Sequence, residues 1–213
     1  MSKPIIDITM TLKPGMPVWP GDSDFSMEWV MRISDDCPVN VSKLTLSPHT
    51  GTHMDSCFHY DSKGVSSSEM PLEPYIGKAL VVDALHCGDL VTPEHIKDQI
   101  PDTIERVLIQ TTAEYSSDKW PFGFTALHPD TVEFLATRGC VLIGIDTPSM
   151  DPQESKKMPS HQAIAAHKIS ILESLKLEAV NPGYYELIAL PLKLEGCDGS
   201  PVRAILRPLD ENL

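Results

Sequence analysis

Positive charge is scarce in this 213-residue chain: 17 lysines and arginines stand against 30 aspartates and glutamates, a formal net charge of −13. That balance argues against nucleic acid as a partner, because phosphate binding needs a basic surface to displace counterions. Paired cysteines are lacking as well. Cys37, Cys57, Cys87, Cys140 and Cys197 are odd in number, widely scattered and without a C-x-x-C pair, which reads as reduced thiols rather than a disulfide framework. No run approaches the ~18 apolar residues of a membrane span. The opening Met1-Ser2-Lys3-Pro4-Ile5-Ile6-Asp7 has no apolar core of a signal peptide, and no glycine-rich phosphate loop is present. The expectation is a cytoplasmic globular protein with neither membrane nor nucleic-acid partner.

What is present is enough apolar sequence, 41% of residues, to bury a sizeable core. Short β-type runs fall at residues 4–12, 25–33, 39–46, 78–83, 106–111, 140–146, 169–172, 184–191 and 202–207. Helical patterns begin at Thr92-Pro93, where a cap precedes proline at the first position, at Pro129 with Gly139 as its stop, and at Ser160. Gly196–Ser200 reads as a turn. No linker or repeat divides the chain, so residues 1–213 are expected to form one mixed α/β domain in which strands outnumber helices.

The chemistry concentrates in His49-Thr50-Gly51-Thr52-His53-Met54-Asp55-Ser56-Cys57-Phe58-His59, three of the eight histidines and an aspartate within eleven residues. An extended reading places His49, Gly51, His53, Asp55, Cys57 and His59 on one face, since side chains alternate with period two. A helical reading is disfavoured by Thr-Gly-Thr, and Thr50 stands where the H-E-x-x-H zincin motif needs glutamate. Imidazole and carboxylate together suit zinc, manganese or a similar divalent ion. A strand edge with solvated histidines is the plainer alternative.

Further ligands must come from elsewhere. His86, His95 and His128 read as turn or capping residues. His161 opens a short helix, and Glu173 follows twelve residues later, about 18 Å away on a continuous helix. The two can share an ion only if the chain folds back, as the β-branched Ile169-Ser170-Ile171 run allows without demanding it.

His49-Thr-Gly-Thr-His53-x-Asp55 followed by His59 resembles the signature of the cyclase family of metal-dependent hydrolases, and within it the chain is most similar to the bacterial kynurenine formamidases. The likeness extends through Val18-Trp19-Pro20-Gly21-Asp22, Ile143–Ser149, Tyr185–Pro191 and Gly199–Arg203. It implies a barrel-like mixed sheet with outer helices (a swivelling β/β/α fold) and a homodimer. It also implies two divalent ions per subunit, zinc with manganese as the alternative, held by His49, His53, Asp55, His161 and Glu173. His59 is then the general acid/base and Trp19 a substrate contact. The implied reaction is hydrolysis of an aromatic formamide, N-formyl-L-kynurenine, to kynurenine and formate, with an isatin-hydrolase-like activity as the alternative. One departure is Cys57, where the family has proline. On the extended reading it faces the metal, either as a thiolate ligand or as a small neutral filler.

Overall fold

The computed structural model describes residues 4–114 and 118–209. Its strands are β1 (Ile6–Asp7), β2 (Ser26–Met31), β3 (Val41–Thr45), β4 (His53–Asp55), β5 (Ile76–Asp83), β6 (Leu90–Val91), β7 (Arg106–Gln110), β8 (Ala126–Leu127), β9 (Leu142–Ile145), β10 (Ser170–Leu172), β11 (Gly183–Ile188), β12 (Gly199–Pro201) and β13 (Ile205–Pro208). Three α-helices accompany them: α1 (Pro93–Ile96), α2 (Pro129–Ala136) and α3 (Pro159–His167). Seven strands form one mixed, curled sheet in the order β1-β13-β11-β5-β7-β9-β10. The β5-β7-β9-β10 half is parallel, and β11, β13 and β1 run antiparallel to their neighbours.

The parallel half follows from composition. β7, β9 and β10 are buried along their whole length, as parallel strands must be when both faces are covered. Val82, Ile109, Ile143 and Ile171 point to one face, where they meet Ile96, Val132, Leu135 and Ile164 of the helices. Val81, Leu108, Leu142 and Leu172 point to the other, against Ile8, Met54, Tyr75 and Leu187. Among the described residues no helix is long and apolar enough to cross a membrane.

Several expected elements are shorter. The first strand, expected over 4–12, holds ladder geometry only at Ile6–Asp7. Beyond it, Ile8 bonds to Ala204 and Met10 to the Thr52 hydroxyl, so side-chain and single backbone partners replace the ladder. The expected turn at 196–200 is the larger correction. Gly199–Pro201 forms β12, antiparallel to β4, with Gly199 opposite Asp55 and Pro201 opposite His53.

A two-stranded ribbon, β2 paired with β3, lies apart from the main sheet. Met27 pairs with Leu44 and Glu28 with Lys43, so Met27, Leu44 and Trp29 share one face and the charged pair lies on the other. All eleven residues are at least partly exposed.

Gly144 is buried in β9, between β7 and the edge strand β10, where an added Cβ would lie 2.5 Å from Leu108 Cδ2 and 2.7 Å from Leu175 Cδ1. Gly144→Ala is expected to cost about 1–3 kcal/mol through overpacking, read as a lower urea midpoint at unchanged m-value.

Candidate metal centre and substrate cavity

Three adjacent parallel strands end at the same place. The residue following β7 is Thr111, that following β9 is Asp146, and that following β10 is Glu173. This is the carboxyl edge of an α/β sheet, where such folds place their ligands. β4 is laid against this edge by two backbone bonds exchanged between His53 and Glu173, 3.2 Å from His53 N to Glu173 O and 3.0 Å in return. β12 closes the other side of β4. A cavity of about 770 Å³ opens there.

The extended reading of residues 49–59 holds only for His53–Asp55. Gly51 has φ +68°, and a Cβ on it would come within 2.5 Å of Leu12 Cδ2. The chain therefore turns at Gly51, and its carbonyl accepts a 2.8 Å bond from His53 Nδ1, leaving His53 Nε2 to face inward. After Asp55 the chain coils into a 3-10 turn at Cys57–His59. That turn carries Cys57 off the candidate metal face and packs it against the Ile8, Met54 and Tyr75 core, so of the two roles expected for Cys57 the structure supports the filler and not the thiolate ligand.

Five acidic and imidazole groups converge. His53 Nε2 is 3.2 Å from Asp55 Oδ1 and 3.3 Å from Glu173 Oε2. His161 Nε2 is 3.6 Å from Asp55 Oδ2 and 3.5 Å from Glu173 Oε1, and His49 Nδ1 is 2.9 Å from Asp55 Oδ1. The fold-back between His161 and Glu173 is the β9–α3–β10 crossover. His53, Asp55, His161 and Glu173 are all buried.

These spacings fit a divalent ion. Bonds of ~2.0–2.2 Å in tetrahedral arrangement set ligand atoms about 3.3–3.6 Å apart. The Nε2 of His161 is buried without a hydrogen-bond partner, a costly arrangement for a ring nitrogen unless it serves as a ligand. His53, Asp55 and Glu173 can hold one ion, and His49, Asp55 and His59 make a second group, with Asp55 common to both. The carboxylates draw positive charge into the site. Burial opposes charge on His53, yet hydrogen bonds and the charges of Asp55 and Glu173 outweigh it and push the imidazole up to about 10.

Sequence reading did not single out three further carboxylates, two of which, Asp151 and Asp198, hold imidazoles of the cluster. Asp151 accepts 3.0 Å bonds from the backbone N–H groups of Ser160 and His161 at the start of α3, and a 2.7 Å bond from His161 Nδ1. This turns His161 Nε2 inward in the way outer carboxylates orient ligating imidazoles. Asp198 Oδ2 accepts from His49 Nε2 at 3.0 Å and lies 3.3 Å from His59 Nδ1. Asp146 accepts from the Thr111 hydroxyl and backbone at 2.5 and 2.8 Å and from Thr112 N at 3.0 Å. Only Asp146 left a trace in the sequence, as the acid ending an apolar strand. Asp151 falls between the 140–146 run and the helix at Ser160, where no pattern marks it, and Asp198 in the expected turn. His95 and His128 serve as caps, accepting from Thr92 N and Asp130 N respectively.

Trp19 stands in the cavity wall and meets Trp120 edge-on at 5.5 Å and Phe124 at 6.3 Å. Trp120 is fixed by a 2.6 Å bond from its indole N–H to Gln153. Trp120 and Phe124 went unnoticed in the sequence because the segment 112–128 has no periodicity to place it.

Comparison with known proteins agrees with this geometry. The family model for Cyclase, described as "Putative cyclase", matches residues 6–152. A solved structure described as a potential metal-dependent hydrolase with cyclase activity is 25% identical, with a TM-score of 0.82 over 97% of this chain and 98% of its own. A protein of Bacillus stearothermophilus described as a predicted metal-dependent hydrolase is 26% identical, with a TM-score of 0.82 and the same coverage. Isatin hydrolase A of Labrenzia aggregata, at 24% identity, shares the fold with a TM-score of 0.83 over 97% of this chain and 94% of its own.

Burial raises the Asp146 carboxyl from 3.8 to about 6 against the bonds from Thr111 and Thr112. Its contribution to stability is therefore complete below 3.8 and is lost as pH rises through 6. Thr111→Val removes a donor to the charged form and is expected to raise the Asp146 midpoint further, measured by carboxyl ¹³C NMR titration.

Proposed function

The chain belongs to the cyclase family, and from that premise we propose that it is a metal-dependent amidohydrolase that cleaves N-formyl-L-kynurenine to L-kynurenine and formate. Support comes from the convergence of His53, Asp55, His161 and Glu173 on one buried point, beneath a cavity walled by Trp19, Trp120 and Phe124. An aromatic wall favours an aryl substrate, because flat rings pack well edge-to-face or offset against indole.

On this reading His49, His53, Asp55, His161 and Glu173 hold two divalent ions, zinc or manganese. When bound, such ions supply Lewis acidity and ease the deprotonation of water. His59 is the acid/base. It sits at the cavity rim, a third exposed, with Nε2 4.0 Å from Asp55 Oδ2. It takes a proton as water attacks the formyl carbon, and returns it to the aniline nitrogen as the C–N bond breaks, a task suited to imidazole, whose two nitrogens both accept and donate. Trp19 stacks the ring. The likeness to isatin hydrolase supports a second reading, in which the amide opened is an aromatic lactam with the same metal ligands. Metal analysis combined with turnover of N-formylkynurenine and isatin separates the two readings. Bound metal with neither turnover would sink both. His59→Ala is expected to keep its metal and lose ~10²–10⁴-fold in kcat, and full activity in that variant would remove His59 from this role.

The same reading includes a homodimer joined through the β2–β3 ribbon. Met27, Trp29 and Leu44 on one face of the ribbon are each more than a third exposed, as are Val30, Met31 and Val41 beside them. Two copies meeting through the Met27, Trp29 and Leu44 face would cover these apolar side chains. A lone two-stranded ribbon is marginal in water and gains from such cover. Sedimentation velocity is expected to give a dimer, and Trp29→Glu with Leu44→Lys a monomer. A monomeric native chain would refute the assembly.

A further inference from the structure

Asp198 touches two imidazoles through a single oxygen. Its Oδ2 is 3.0 Å from His49 Nε2 and 3.3 Å from His59 Nδ1, and the two rings lie 4.1 Å apart between centroids. A carboxylate accepts and never donates, whereas a neutral imidazole carries one N–H and one lone pair. The partner of one nitrogen therefore decides what the other can do. We infer that Asp198 is the positioning residue for the acid/base: by taking the Nδ1–H of His59 it places the lone pair on Nε2, the nitrogen that faces Asp55 and the cavity. The inference rests on the role of His59 proposed above.

The placement of Asp198 is built into the backbone. Its carbonyl accepts a 2.9 Å bond from Ser56 N, and the next residue, Gly199, opens β12 opposite Asp55. A Cβ on Gly199 would lie 2.9 Å from both His49 Cε1 and the Met54 carbonyl, so only glycine brings the Asp198 carboxylate this close to the two rings. Asp198 thus approaches from one side while Asp55 faces the same rings from the other, and the histidines are held between two carboxylates. The 3.0 Å contact between His49 Nε2 and Asp198 turns the other nitrogen of His49, Nδ1, toward Asp55. This is the division of labour of the serine-protease dyad, in which a carboxylate holds an imidazole in its working tautomer without itself taking the proton.

The readout is the tautomer itself. Long-range ¹H–¹⁵N correlation spectra of zinc-loaded, ¹⁵N-histidine-labelled protein are expected to show His59 as the Nδ1–H form, and Asp198→Ala is expected to shift it toward Nε2–H. At full metal loading the variant is expected to lose about 10²-fold in kcat with KM unchanged, within the ~10²–10⁴ that a general base supplies. Adding Asp198→Ala to His59→Ala is expected to cost nothing further, because the two act as one unit. Asp198→Asn keeps the side-chain volume and is expected to lose rate as well, should the alanine variant fold poorly. An unchanged His59 tautomer, or a loss additive with that of His59→Ala, overturns the inference. The spectra need no turnover. A native chain inactive on formamides would defeat the proposed function while the tautomer still decides the role of Asp198.

Discussion

Everything at the site depends on a pair of backbone hydrogen bonds between His53 and Glu173. The seven-stranded sheet could close without β4, since its order does not include that strand. What the exchanged bonds add is registry. With His53 and Glu173 facing each other across a ladder, Asp55 falls opposite Gly199, and Met54 points into the core between them. Thr52 reinforces the joint, donating to Ser174 O at 2.6 Å and accepting from Met10 N at 2.8 Å. A slip of one residue would turn His53 and Asp55 away from the cavity and expose Met54, because side chains alternate along the strand. Burial of Met54 and the inward placement of His53 and Asp55 are thus the same geometric fact.

The cluster is costly in isolation. Four buried acidic and imidazole groups, with Asp198 and Asp151 behind them, bring like charges together, and the structure answers with alternation: His53 and His49 each lie between two carboxylates and His161 among three. Asp55 is held well below its ordinary range, burial being outweighed by His161, His49 and His53. His161 is held well above its own, burial being outweighed first by Asp151 and then by Asp55 and Glu173. An ionic lattice of this kind is stable only when complete, since removing one member leaves its partners charged and buried.

Much of this was legible in the sequence, and the limits are physical. The buried parallel strands announce themselves as short β-branched runs, so the sheet and the position of Glu173 at the end of β10 could be anticipated. His53 and Asp55 could be placed on one face by period two. His49 and His59 reach the same point by other means, a turn that needs the positive φ of Gly51 and a 3-10 coil, and neither leaves a periodic signal. Cys57 misled because the strand stops two residues before it. Asp198 was hidden for a different reason: Gly196-Cys197-Asp198-Gly199-Ser200 has the composition of a turn, and only the tertiary partner β4 makes Gly199–Pro201 a strand.

The joint at β4 has one more consequence. Thr52 and Ser174 are 122 residues apart in sequence, and His49 and Asp198 are 149 apart, so no fragment of the chain emerging early from synthesis can contain the whole centre. Loop closure over such spans is slow, because its entropy is spent before any contact rewards it. His53, Asp55, His161 and Glu173 therefore meet only when both halves of the chain are in place. The centre thus joins the two halves of the polypeptide, and the bonds exchanged by His53 and Glu173 are the clasp between them.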